Sequence, residues 1–144
     1  MLIMPRGAFF LADTYVNIDP TADELVTLLT PILQERLPEA RGTEVVSCVR
    51  TETGFSTETF IVTVAGVDHP GAESTTARYV LRRPPLLPIL PGYDLRRQFL
   101  VMQRLADSDV PVPRVRFEEA GVTELGSPYF VMDYLDSAHT VGDV

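Results

Sequence analysis

VVSCVRTETGFSTETFIVTVAGVDHPGAESTTARYVLRR, residues 45–83, sets three runs rich in Val, Ile, Phe, Tyr and Thr around two glycine-bearing connections. Those residue types favour a pleated, half-buried surface, so the stretch reads as three antiparallel strands. The first connection is Thr53-Gly54-Phe55-Ser56-Thr57. Gly54 lets the backbone reach positive φ, and the hydroxyls of Ser56, Thr57 and Thr59 stand near turn N–H groups, an arrangement that can cradle an anion. A glycine in a hairpin also serves simply as a turn.

Side chains alternate along a strand. In the third strand Val80 and Arg82 therefore share one face and Tyr79 and Leu81 the other. In the second, Phe60, Val62 and Val64 oppose Thr59, Ile61 and Thr63. Strict alternation in the first puts Val45, Ser47 and Val49 on one face and Val46 and Cys48 on the other.

The chain has 144 residues, 45% of them apolar and 22% charged, which suits one soluble domain. A net charge of −8 argues against a nucleic-acid binder working through a broad basic surface. All twelve basic residues are arginine, so Arg82 reflects composition as well as chemistry; a guanidinium can still grip phosphate in bidentate fashion. The lone Cys48 forms no intrachain disulfide, which fits a reducing cytoplasm, and the two histidines, His69 and His139, are too far apart in sequence to suggest a metal site. The apolar run near the amino terminus is broken by Pro5, Arg6 and Gly7 and is too short to span a membrane. Residues 1–18 are read as an arm and 19–144 as the domain.

A helix is expected from Thr21, which forms a capping box with Glu24 and is followed by an apolar stripe of Leu25, Leu28, Leu29, Ile32 and Leu33. Pro31 should kink or split it. A second helix is expected over Asp94–Ala106, capped by Asp94, with Leu95, Phe99, Met102 and Leu105 toward the sheet and Gln98 within or at the edge of that stripe. Strands over 115–119 and 129–135 follow, parted by a turn with Gly121 and Gly126.

Four blocks carry a family resemblance: Gly54-Phe55-Ser56-Thr57-Glu58-Thr59, Tyr79-Val80-Leu81-Arg82-Arg83-Pro84-Pro85, Asp109-Val110-Pro111-Val112-Pro113-Arg114, and Leu125 through Leu135. Together they resemble the aminoglycoside phosphotransferase and choline kinase-like family, particularly members related to the domain fused to some acyl-CoA dehydrogenases. The fold implied is α+β: a protein-kinase-like N-lobe, with a five-stranded antiparallel sheet in chain order, a packed αC-type helix and an extra N-terminal helix.

The resemblance also implies a site. Gly54, Phe55, Ser56 and Thr57 would cover the phosphates of ATP, and Arg82 would stand where a protein kinase has its strand lysine. Gln98 would replace the usual glutamate partner of that cation, putting the ion pair in doubt. Phe60 and Val80 would form an apolar lid over adenine, Met132 would line the back of the pocket, and the Asp133 carbonyl and Leu135 N–H would face the adenine edge.

The family's His-Gly-Asp catalytic loop and its later metal-binding aspartate are not found in the sequence, so the Mg²⁺ ligands are not expected among these residues. The reading is the amino-terminal lobe of an ATP-dependent phosphotransferase that acts on a small hydroxylated substrate, inactive without its carboxyl-terminal lobe. The expected partners are the nucleotide, that substrate and the missing lobe, with no nucleic acid or membrane. The alternatives are a catalytically inactive nucleotide-binding or regulatory module of the same fold, and an unrelated α+β interaction domain.

Overall fold

The computed structural model describes residues 8–11, 14–17, 21–51, 57–66, 76–85, 94–121 and 123–136, the first two segments by backbone alone. Strands β1 (Ala8–Leu11) and β2 (Thr14–Asn17) pair as a small antiparallel hairpin within the segment read as an arm. Helix α1 (Ala22–Arg36) leads through a 3₁₀ turn (Pro38–Ala40) into β3 (Thr43–Arg50), β4 (Glu58–Gly66) and β5 (Thr76–Arg83). Helix α2 (Leu95–Leu105), β6 (Val115–Glu119) and β7 (Tyr129–Asp133) complete the described chain.

Strands β3 to β7 form one antiparallel sheet in the order β3-β4-β5-β7-β6. The expected order was that of the chain. Instead β7 inserts between β5 and β6, because the near-continuous apolar run Tyr129-Phe130-Val131-Met132 is buried on both faces and so takes an interior position.

Each face of the sheet carries a helix. On one side α1 lays Leu25, Leu29 and Leu33 onto Phe60, Val62, Val64, Tyr79, Leu81, Phe117 and Val131. On the other α2 lays Leu95 and Phe99 onto Val80, Phe130 and Met132, with Phe99 and Phe130 meeting edge to face at 5.9 Å. Burying each of these leucines contributes roughly 1.5–3 kcal/mol.

Helix α1 starts as its sequence dictates. Thr21 Oγ1 accepts from the Glu24 N–H at 3.3 Å, and the Glu24 carboxylate accepts from the Thr21 N–H at 2.8 Å. Pro31, expected to kink or split the helix, does not split it: α1 is continuous to Arg36. Pro31 is exposed, so the Thr27 carbonyl that it leaves without an intrahelical donor can be hydrated, and the buried Leu29 and Leu33 pack the helix on either side of it.

The helix also meets both borders of the sheet. Thr30 Oγ1 accepts from Val45 N–H at 3.1 Å and Gln34 Nε2 donates to the Thr43 carbonyl at 2.7 Å, both on β3. At the other border Arg36 pairs with Glu119 and lies 4.6 Å over the Phe117 ring.

Two strands depart from strict alternation. A bulge between Val45 and Ser47 puts Val45 and Cys48 on the α1 side, opposite Val64 and Val62, and Ser47 and Val49 on the α2 side, opposite Thr63 and Ile61. Val45 and Val49 therefore lie on opposite faces, correcting the simple period-two reading. A second bulge, between Val115 and Phe117, sends Val115 to the α2 side and Phe117 to the α1 side. The turn before β7 is closed by the Gly126 N–H bonded to the Thr123 carbonyl at 2.9 Å, with Gly126 at φ 77°, a conformation that glycine adopts without a Cβ penalty. No helix among the described residues is long and apolar enough to cross a membrane.

Candidate nucleotide-facing surface

A single row of side chains crosses the sheet on the α2 side: Val49 opposite Ile61, Ile61 opposite Val80, Val80 opposite Met132, and Met132 opposite Val115. Directly opposed residues of antiparallel strands share a face, so the row is continuous and wholly apolar. Its two halves differ in cover. Val80 and Met132 are buried under Leu95 and Phe99, whereas Ile61 is partly exposed and Val49 is 57% exposed.

Phe60 is not part of this surface. It is buried on the opposite side, opposed to Leu81, with the Arg83 guanidinium 4.9 Å above its ring. The expected Phe60–Val80 lid is therefore corrected: those two residues lie on opposite faces, and Ile61 stands beside Val80 instead. The aromatic ring suggested a lid, but cross-strand register, not ring chemistry, assigns the face.

One row toward the β3–β4 connection, Thr59, Arg82, Phe130 and Glu118 are opposed in turn on the same face as Val80. Arg82 is partly buried with its Nε shielded from solvent. Gln98, on α2 between the buried Leu95 and Phe99, is also partly buried, with its Oε1 shielded. Strand cation and helix amide are thus both held on the α2 side.

Gly54, Phe55 and Ser56 lie outside the described residues. Thr57, at the end of that hairpin, is 2% exposed. The base of the hairpin is closed by groups that sequence reasoning passed over. Glu58, 6% exposed, receives Arg83 Nε at 2.7 Å and Arg50 Nη2 at 3.1 Å, so one carboxylate ties together the ends of β3, β4 and β5. Arg83 itself is fully buried. Burial pushes the Glu58 carboxyl upward and the charge of Arg50 pulls it back. The Thr51 N–H donates to the Thr59 carbonyl at 2.9 Å just inside this tie. The signal was present in the sequence: consecutive arginines on a strand must point to opposite faces, so Arg83 faces away from Arg82 and calls for an acid there, which Glu58, directly opposite, supplies.

Beside the row at the end of β7, Asp133, opposed to Tyr79, donates its N–H to the Arg114 carbonyl at 2.8 Å, and its carboxylate accepts from Arg116 Nη1 at 3.1 Å. Burial and, to a lesser degree, that carboxylate raise the neighbouring Tyr79 hydroxyl above its usual pKa. Tyr134 and Leu135 continue beyond β7 without regular structure, and Leu135 is 43% exposed. Arg78, at the start of β5, lies 4.3 Å over the Tyr134 ring and pairs with the Asp136 carboxylate. No group of three or more His, Cys, Asp or Glu side chains among the described residues could hold a metal ion.

A family model described as phosphotransferase enzyme family (APH) matches residues 48–141. The match starts within β3 and takes in both sides of the hairpin, Arg82, α2 and the segment after β7, leaving α1 outside it. With well over half of its length matched, the chain belongs to the phosphotransferase enzyme family.

Proposed function

We propose that this chain is the nucleotide-covering lobe of an ATP-dependent phosphotransferase whose acceptor is a hydroxyl of a small molecule, of the subgroup related to the domain fused to acyl-CoA dehydrogenases. One observation carries the reading: the apolar row on the α2 face is left open at Val49 and Ile61, and Arg82 stands one row away on that face. An adenine ring is a flat apolar surface with a polar edge. It suits a shallow apolar ceiling, and a triphosphate attached to it would extend toward a cation and the hairpin.

In this reading Val49, Ile61 and Val80 exclude water from one face of the base, and Met132 closes the back. The Asp133 carbonyl and Leu135 N–H meet its edge. Arg82, on the same side of the sheet as Gln98, gives bidentate hydrogen bonds to phosphate oxygens, with the Gly54–Thr57 hairpin above them. Bound magnesium would supply charge neutralisation at the phosphates. No described residue is assigned as its ligand or as the base that receives the acceptor proton; the contribution of the described lobe in this reading is to position the nucleotide.

The test is an ATP titration followed by amide and methyl NMR shifts. Perturbations should gather at Val49, Ile61, Val80 and Arg82 and spare Val62 and Val64. Shifts confined to the α1 face, or none at millimolar ATP, would overturn the reading. Binding without metal-dependent transfer in a protein that carries both lobes would instead favour a nucleotide-binding regulatory module.

A further inference from the structure

Leu135 sits between two residues that are held by the same side chain. Tyr134 packs its ring under the Arg78 guanidinium at 4.3 Å, and Asp136 forms an ion pair with that guanidinium. Arg78 is anchored in turn by the ladder between β4 and β5, where it is opposed to Thr63 and lies two residues before Val80 on the same face. The segment 134–136 has no strand pairing of its own, and Leu135 is 43% exposed. The side chain of Arg78 is thus a strut from the sheet to both neighbours of Leu135.

We propose that Arg78 is a positioning residue for recognition of the purine base: it fixes the backbone at Leu135 so that this N–H is presented toward the base edge. The inference rests on the nucleotide reading above, and it adds a residue that touches neither base nor phosphate. The interaction is exposed, so its worth lies in geometry more than in stability; an exposed ion pair and a cation–π contact together contribute little to folding but narrow the conformations of a short unpaired segment. Losing the strut lets the segment sample orientations in which the N–H is misdirected, and the apparent affinity then falls by the fraction still competent to bind.

The base and the phosphates can be probed separately, with adenosine for one and inorganic tripolyphosphate for the other. In NMR titrations of the protein, Arg78→Ala should weaken adenosine binding roughly threefold to tenfold and leave tripolyphosphate binding unchanged. Asp136→Asn, which keeps the Tyr134 stacking, should give a smaller loss in the same direction, and Arg78→Lys an intermediate one. Arg82→Ala should do the reverse, weakening tripolyphosphate and sparing adenosine. Unchanged adenosine affinity in both Arg78→Ala and Asp136→Asn would overturn the strut while leaving the nucleotide reading intact. No adenosine response in the unaltered protein would overturn the nucleotide reading and the strut with it. Equal losses for both probes in well-dispersed Arg78→Ala would show a general structural effect, and would also overturn the proposal.

Discussion

Ile61 and Val80 face each other directly across β4 and β5, on the side of the sheet away from Phe60 and Leu81. One residue of register therefore separates a partly exposed face from the interior of the domain.

Substitutions at adjacent positions should have opposite consequences. Phe60→Ala empties a packed site and should cost about 3–5 kcal/mol in urea unfolding. Ile61→Ala, at a partly exposed position, should cost under about 1.5 kcal/mol yet weaken ATP binding severalfold. If Phe60→Ala were the better folded of the two, the assignment of faces would be wrong.

Glu58 should behave as a buried counter-charge. Glu58→Gln removes the carboxylate that lies 2.7 Å from the fully buried Arg83 Nε and should cost about 3–5 kcal/mol. The double variant Glu58→Gln/Arg83→Met should recover much of that loss, since the charge goes with its partner. Arg50→Ala removes only the exposed arm of the tie and should cost under about 1 kcal/mol. A thermodynamic cycle over the single and double variants provides the measurement.

Burial pushes the Cys48 thiol up to about 11. A thiol whose pKa is raised on folding keeps its proton in the native state while the unfolded chain has already ionised. Stability from this group is thus unchanged below about pH 9 and falls as pH rises from there through 11, by at most about 3 kcal/mol. Cys48→Ala should flatten that alkaline decline in unfolding free energy. The native protein should also react with a thiol reagent at pH 8 only as fast as it opens.

Pro31→Ala should stabilise the protein by roughly 1–3 kcal/mol, because the Thr27 carbonyl regains an N–H donor within α1 and no buried contact is lost at this exposed position. Thr21→Ala should lose about 1 kcal/mol through the cap. Thermal unfolding of the two variants should show shifts of opposite sign.

Much of this architecture could be read from local chemistry. The Thr21–Glu24 box, the Asp94 cap with its bond to the Arg96 N–H at 3.0 Å, and the alternation in β4 and β5 each follow from residues within a few positions of one another. What was not legible depends on partners distant in sequence. The bulge at Val46 reverses the faces of the rest of β3, and nothing in Val45-Val46-Ser47 announces it. The insertion of β7 next to β5 pairs Val80 with Met132 across more than fifty residues. At the candidate site the same limit applies: the face of Arg82 followed from alternation alone, whereas the identity of the apolar neighbour of Val80 required the register between two strands.

The side chains that α1 extends to β3 have a consequence for life in a crowded solution. A sheet that ends in an open ladder invites another chain to add a strand and begin a fibre. Here Thr30 and Gln34 occupy the Val45 N–H and the Thr43 carbonyl, and the kinked backbone at Val46 spoils the straight template beyond them. The opposite border, β6, carries Arg116, Glu118 and Glu119, which an incoming strand would have to desolvate. The protein can thus leave an apolar strip uncovered on the flat of its sheet while both rims resist aggregation.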